Sequence, residues 1–361
     1  MANYVLIDKE NGVVMQHPHR LAMPSVPVRY ELTGSSGRYE IRSAPLAEVQ
    51  LGLDQVEIRV VAVSLNYRDL LVVDGAYPGV SAGLSPLSDA AGIVTAVGDA
   101  VTRWRVGDRV SPTFMPAWSE GPFTRHHRGS ALGGEADGVL SERLVMSEQA
   151  LVAIPESLDF AEAATLPCAG VTAWHALVAR GNLSHGKTLL VQGTGGVSLF
   201  GLQIAKALGA RVILTSSSDA KIERARALGA DETINYRTHP TWHEQALSLT
   251  DGEGVDHVLE LGGPDTYASS IASLAAGGVV SQIGVLTGFG AQPLLGPIQG
   301  LNADIHGITV GSRQHFEELV AFIDLHRIKP VIDARFPVAK ISEAFELMRS
   351  GGHFGKIVVE L

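Results

Sequence analysis

The stretch Thr188-Leu189-Leu190-Val191-Gln192-Gly193-Thr194-Gly195-Gly196-Val197-Ser198 decides the fold. A short, largely apolar run passes into a glycine loop, and the loop passes into a helical segment, Leu199–Leu208. A strand feeding a helix through glycines is the context that a dinucleotide fingerprint requires. Gly193 allows the tight turn and Gly195 lets the backbone approach a pyrophosphate. The helix amino terminus adds unpaired N–H groups and the positive end of its dipole. Ser198 stands where a third glycine is often found. A lone glycine pattern also fits a plain structural turn; the binding reading gains its weight from register with the strand, the helix and a second strand at Arg211–Thr215.

Working outward, strands and helices alternate through helix Ala220–Leu228, strand Val255–Glu260, helix Thr266–Ala275 and strand Val279–Ile283. That alternation predicts a parallel sheet with right-handed crossovers. Helices Gln314–His326 and Ile341–Ser350 and a strand Lys356–Glu360 follow. Upstream lie helices Phe160–Thr165 and Thr172–Ala179, and before them a mostly β region from Val28 to about Val152. In that region Val56–Val60 alternates and Val106–Val110 carries a turn into a strand. Residues 1–27, with Gln16-His17-Pro18-His19, Pro24 and Pro27, read as a surface extension. Met115–Asp137 has no period and reads as a long surface loop. Its Arg125-His126-His127-Arg128 lacks the company of cysteine or carboxylate that a metal site needs and reads as solvated.

The chain has 361 residues, 45% hydrophobic and 18% charged, with 40 glycines. That length exceeds the roughly 250–300 residues of one core and predicts two domains. A net charge of -10, spread without a basic block, argues against nucleic acid and anionic membranes as partners. Cys168 is the single cysteine, so the chain has neither an internal disulfide nor a four-cysteine zinc lobe. Asp8, Lys9 and Glu10 stand where a signal peptide would be apolar, and no apolar run could span a bilayer. The cytoplasm is the expected location.

The end of the second strand bears on the cofactor. An NAD site usually places an acid there to bind the ribose 2′-hydroxyl. This chain reads Thr215-Ser216-Ser217-Ser218, with Lys221 close behind. Hydroxyls and a lysine without an acid favour a 2′-phosphate, so NADP(H) is expected over NAD(H). The same residues can also cap the next helix, and one helix start can do both.

Several ordered motifs together resemble the medium-chain dehydrogenase/reductase superfamily, in its zinc-independent, quinone-oxidoreductase-like branch. They are Val63-Ser64-Leu65-Asn66-Tyr67-Arg68-Asp69, Val106-Gly107-Asp108-Arg109-Val110, Ala164-Thr165-Leu166-Pro167-Cys168-Ala169-Gly170, the Gly193 loop, and Gly352-His353-Phe354-Gly355-Lys356-Ile357-Val358. The resemblance covers nearly all of the chain after residue 27. It implies an α/β protein: a GroES-like β domain from residues 28–168 and 310–361, around an inserted Rossmann domain of residues 169–309, with the active site in the cleft between them. It implies cofactor contacts from Asn66, Thr172, Gly193, Thr194, Gly195, Gly196, Val197, Ser216 and Ser217. Lys221 and Tyr236 would hold the 2′-phosphate. Backbone groups of Ile283, Gly284 and Val285 would meet the carboxamide, and Phe354 and Lys356 would close over the cofactor. Lys356 also fits a solvated edge-strand charge. A homodimer is expected.

The departures narrow the chemistry. In zinc-using alcohol dehydrogenases of the superfamily a cysteine sits where this chain has Asn66, and a His-Glu pair where it has Ser88-Asp89. Asp89 and Cys168 alone cannot complete a zinc sphere, so no metal is expected. Cys168 reads as a small buried residue rather than a redox group. Without zinc, the carbonyl must be polarised by hydrogen-bond donors or be intrinsically activated, as in a quinone or an α,β-unsaturated carbonyl, the expected acceptors of hydride from the nicotinamide. Asn66 is the leading catalytic residue, with Tyr67 and Tyr77 as pocket donors; both tyrosines also fit interface packing. Asp69 fits a structural hydrogen bond at a helix start. Two rival functions remain open at this point: a metal-free alcohol or aldehyde oxidoreductase, which needs a base near Asn66, and an NADPH-binding protein with little turnover.

Overall fold

Thr188–Gln192 is the first strand of a six-stranded parallel sheet, and its near-continuous burial explains why its sequence does not alternate. Across the sheet the order is Glu232–Asn235, Arg211–Ser216, Thr188–Gln192, Val255–Glu260, Leu274–Gln282, Asp304–Gly307. All neighbours are parallel. Numbered along the chain from Thr188, that order is 3-2-1-4-5-6, the doubly wound dinucleotide-binding topology. The direction of winding reverses beside the first strand, so the glycine loop opens at the switch point. The computed structural model describes residues 26–34, 37, 39–47, 49–288, 290 and 295–361. Most of the expected amino-terminal extension, residues 1–25, lies outside the described residues.

A second sheet is made by both halves of the chain. Its order is Ile332–Pro337, Lys356–Glu360, Gln55–Ser64, Asp89–Val97, Arg109–Pro112, Leu151–Ala153, with Arg143–Ser147 also paired to Gln55–Ser64. Lys356–Glu360 therefore lies inside the sheet, parallel to one neighbour and antiparallel to the other. Lys356 is not a solvated edge charge; its ordinary-looking strand is interior, and the side chain is 3% exposed. The hairpin Val28–Thr33 and Glu40–Pro45 forms a separate two-stranded sheet.

Two further sequence readings change. The stretch expected to form helices at 160–165 and 172–179 is a short helix Phe160–Ala163, then a helical run in which Val171–Trp174 is flanked by wide π turns at Leu166–Gly170 and His175–Ala179. Pro167, which has no N–H to give, sits in the first wide turn. Met115–Asp137 is not a surface loop throughout. Met115, Trp118, Ala131 and Leu132 are buried. Trp118 stacks on His127 and meets the edges of His175 and His315 at 5.8 Å. The carbonyls of Trp118 and Ser119 accept N–H bonds from Arg313 and Gln314, satisfying the start of helix Arg313–His326. An aperiodic segment hides such a clasp because its anchors are single residues.

Candidate active site

The glycine loop has the form that an anionic ligand needs. Gly193 takes the left-handed conformation, φ 71°, and donates its N–H to Thr215 at 2.8 Å. Gly195 caps the 12-residue helix Gly196–Ala207. A methyl group built on Gly193 or on Gly195 would meet nothing within 4 Å, so both glycines face open space in front of a helix amino terminus. Ser198 donates to the Gln192 carbonyl at 2.8 Å, tying the first helical turn to the strand end. These residues fit a dinucleotide pyrophosphate. Thr194 is buried and Val197 half-buried.

Gly196 differs from the other two. A methyl there would lie 2.6 Å from Cδ of Lys356, so the lysine stem passes directly against the loop. The two segments are also joined by backbone: Gly355 N–H donates to Thr194 at 2.9 Å, and Gly195 bridges Gly355.

At its far end the Lys356 ammonium donates to the Leu65 carbonyl and to Asn66 Oδ1, each at 2.6 Å. It lies 3.8 Å from Asp89 Oδ2. Asn66 begins helix Tyr67–Val73; its N–H donates to Asp69 Oδ2 at 2.7 Å, and its Nδ2 reaches Ser88 Oγ at 3.4 Å. Ser88 donates to Asp89 Oδ1 at 2.8 Å, and the Cys168 N–H to Asp89 Oδ2 at 3.3 Å. Asn66, Ser88, Asp89, Cys168 and Lys356 thus form one cluster next to the cofactor loop. Sequence reasoning named Asn66 and Lys356 separately and gave Asp89 and Ser88 no role. A signal was present: Asp89 is the single charged residue of the strand Asp89–Val97.

Burial dominates the electrostatics. It raises the Asp69 carboxyl to about 7, against the pull of Arg68 and of the Asn66 N–H. It also raises Asp89, against the pull of Lys356. Cys168 is half-buried rather than buried as expected; loss of solvation and Asp89 push its thiol up, the reverse of an activated nucleophile. The donor set does not suit zinc. Only Asp89 and Cys168 are ligand types, an ammonium already faces Asp89, and among the described residues no three His, Cys, Asp or Glu side chains gather as a metal site.

The other expected residues fall into separate places. Tyr67 is 42% exposed, on the helix started by Asn66. Tyr77 donates to Glu135 at 2.9 Å and lies under the Arg68 guanidinium. Thr172 is buried within its helical turn. Ser216 is buried and Ser217 half-buried, while Ser218 accepts from the Lys221 N–H and caps helix Asp219–Ala227. The Lys221 ammonium donates to the Gly351 carbonyl at 2.7 Å. Tyr236 is 41% exposed, and its N–H donates to Ser216. The N–H groups of Ile283 and Gly284 both donate to the Glu260 carbonyl, and the Val285 carbonyl accepts from the Gly288 N–H at 3.0 Å. Gly284 must be glycine because a methyl would lie 2.0 Å from the Leu261 carbonyl. Phe354 is fully enclosed, with the Arg224 guanidinium 4.1 Å from its ring.

Comparison with known proteins agrees with this architecture. Residues 52–156 match the alcohol dehydrogenase GroES-like domain, and residues 196–324 match the zinc-binding dehydrogenase family. A zinc-type alcohol dehydrogenase-like protein of Schizosaccharomyces pombe is 44% identical over 321 residues, 86% of this chain and 92% of that one. A quinone oxidoreductase of Pseudomonas aeruginosa is 34% identical over 313 residues, 81% of this chain and 87% of that one. A solved structure from Sinorhizobium meliloti, assigned provisionally to the alcohol dehydrogenases, superposes with a TM-score of 0.88 at 45% identity, covering 94% of this chain and all of the other. With a doubly wound sheet, a GroES-like partner and relatives of this closeness, the chain belongs to the medium-chain dehydrogenase/reductase superfamily and is an oxidoreductase of that family.

Proposed function

We propose that the protein is a zinc-independent, NADPH-preferring reductase of quinones or α,β-unsaturated carbonyls. The observation that carries this reading is the Asn66 side chain. It is 9% exposed; its NH2 group faces Asp89 and, through a long 3.4 Å contact, Ser88, and the N–H on that long contact is the one an incoming oxygen can take. The carboxylates beside it among the described residues are not accessible bases: Asp69 and Asp89 are enclosed, and Asp89 is held by Ser88, the Cys168 N–H and Asn66 itself. That arrangement suits reduction of an activated acceptor better than oxidation of an alcohol, which must lose a hydroxyl proton. When bound, the nicotinamide would supply the hydride. The chain would orient the acceptor, exclude water and give the Asn66 N–H to the oxygen on which negative charge develops. Tyr67 is a second donor at the same helix start.

The NADPH preference rests on the absence of an acid at Ser216-Ser217-Ser218 and on the nearby Lys221 and Tyr236. Lys221 must leave the Gly351 carbonyl to reach a phosphate. Residues 28–168 with 310–361, and 169–309, are the domain boundaries we propose. A homodimer is the proposed assembly, since strand Asp304–Gly307 lies at a sheet edge with Ile305 exposed, a surface a second copy can extend. No described helix is long and apolar enough to cross a membrane, and we place the enzyme in the cytoplasm.

The test is oxidation of NADPH and of NADH, followed by absorbance, against a quinone, an enone and an aldehyde, each with and without chelator. Chelator-resistant turnover of quinone or enone with NADPH is expected. Activity restored by zinc, a preference for NADH, or tight NADPH binding with no turnover would each remove part of the reading.

A further inference from the structure

We propose that Lys356 is the positioning cation of this site: its ammonium grips the Asn66 amide by the oxygen, turns the amide N–H toward the reacting oxygen of the substrate, and lends that amide its positive charge. The inference rests on the reductase reading above and deepens it.

An ammonium 3% exposed survives only with its donors engaged. Two of the three are matched by neutral oxygens, Leu65 O and Asn66 Oδ1, at 2.6 Å. The Asp89 carboxylate stands farther off at 3.8 Å and is itself shared with Ser88 and the Cys168 N–H. The positive charge is thus only partly neutralised by contact, and its shortest side-chain contact is the Asn66 amide. An ammonium cannot accept a hydrogen bond, so the amide must present its oxygen to Lys356 and its NH2 group away from it. The neighbour on that side is the Ser88 hydroxyl, which gives its own proton to Asp89 and can only accept. The other amide hydrogen faces the Asp89 carboxylate, so the hydrogen on the long 3.4 Å contact to Ser88 is the one an incoming oxygen can draw. Drawing electron density toward Oδ1 makes that hydrogen a stronger donor.

The lysine is also held along its length. Its stem lies against Gly196, its backbone N–H donates to Val331 at 2.9 Å, and its strand is interior to the sheet. The amide is therefore aimed by a rigid element rather than by a mobile side chain. When bound, NADPH would supply two electrons and a proton as hydride to the electrophilic carbon of the acceptor. The displaced π pair would move onto the oxygen, where the Asn66 N–H meets it, and solvent would supply the proton that completes the product as it leaves the site.

The test compares wild type with Lys356→Met, which is neutral and of similar length, and with Lys356→Ala assayed with and without added propylammonium. If the proposal holds, K356M lowers kcat on the order of 10²-fold while the NADPH Kd changes by less than about threefold. Propylammonium then restores part of the K356A rate and 1-propanol does not. Independently of any turnover, the Asn66 side-chain 15N–1H signals of wild type lie downfield of those in K356M. If K356M does not fold, the double variant K356M/D89N, which removes both buried charges, carries the NMR comparison against D89N. An unchanged kcat, a loss confined to NADPH affinity, or coincident Asn66 signals would overturn the role of Lys356. A wild type that shows the Asn66 shift but reduces no acceptor would instead overturn the reductase reading and leave the lysine–amide contact standing.

Discussion

Asp69 carries an electrostatic cost within the site. One carboxylate oxygen accepts the Asn66 N–H, and the other is buried without a partner. With its carboxyl raised from 3.8 to about 7, the folded protein keeps a proton that the unfolded chain releases. Stability therefore falls as pH rises from about 4 to 7, and the full cost, about 4 kcal/mol at most, is felt above 7. Asp69→Asn keeps an acceptor for the Asn66 N–H and has no charge to bury. The denaturant midpoint should therefore drop from pH 5 to pH 8 by more in wild type than in D69N, which keeps only the Asp89 part of the effect. Parallel behaviour of the two proteins would show that Asp69 carries no such cost. The carboxylate is retained in spite of it because it starts the helix that presents Asn66.

The loop between strand Thr188–Gln192 and helix Gly196–Ala207 can be tested as an element. Gly195 has an ordinary φ, -77°, and open space where a side chain would be. Gly195→Ala should then leave the melting temperature within a degree or two of wild type, while NADPH affinity falls roughly tenfold or more as the methyl occupies the place of a phosphate. Fluorescence titration and a thermal melt of the same sample check both halves; unchanged affinity would move the pyrophosphate elsewhere. This element was legible in the sequence because strand, glycines and helix succeed one another within a few residues. Helix Ile341–Ser350 and strand Lys356–Glu360 were legible for the same reason, since local pattern sets their bounds. The short strands Glu232–Asn235 and Asp304–Gly307 were not read. They sit at the two edges of their sheet, where one flank has no neighbour to demand an apolar run. The cluster around Asn66 was legible only in part. Its members come from distant segments, and no spacing in the chain announces that Lys356 ends beside Asn66 rather than in solvent.

At the scale of the molecule, the interior strand Lys356–Glu360 holds the second sheet together, pairing Ile332–Pro337 on one side and Gln55–Ser64 on the other. A chain truncated after Gly355 loses that pairing and the lysine at once, and it should be recovered only as insoluble or non-cooperatively unfolding material. Removing Leu361 alone costs one backbone bond, to Val61, and should be tolerated. Soluble, cooperatively melting protein from the longer truncation would show that the sheet closes without this strand. The same pairing has a consequence for biosynthesis. Asn66 and Lys356 are 290 positions apart, so the ribosome delivers Gln55–Ser64 long before the strand that will lie against it. Throughout that interval the end Ala62–Ser64, which only the last strand covers on that flank, waits open to any passing chain, and contacts of such long separation are slow to form. Chains interrupted before Lys356 carry Asn66 with nothing to aim it, so catalytic competence arrives late in synthesis, all at once, when the sheet is closed.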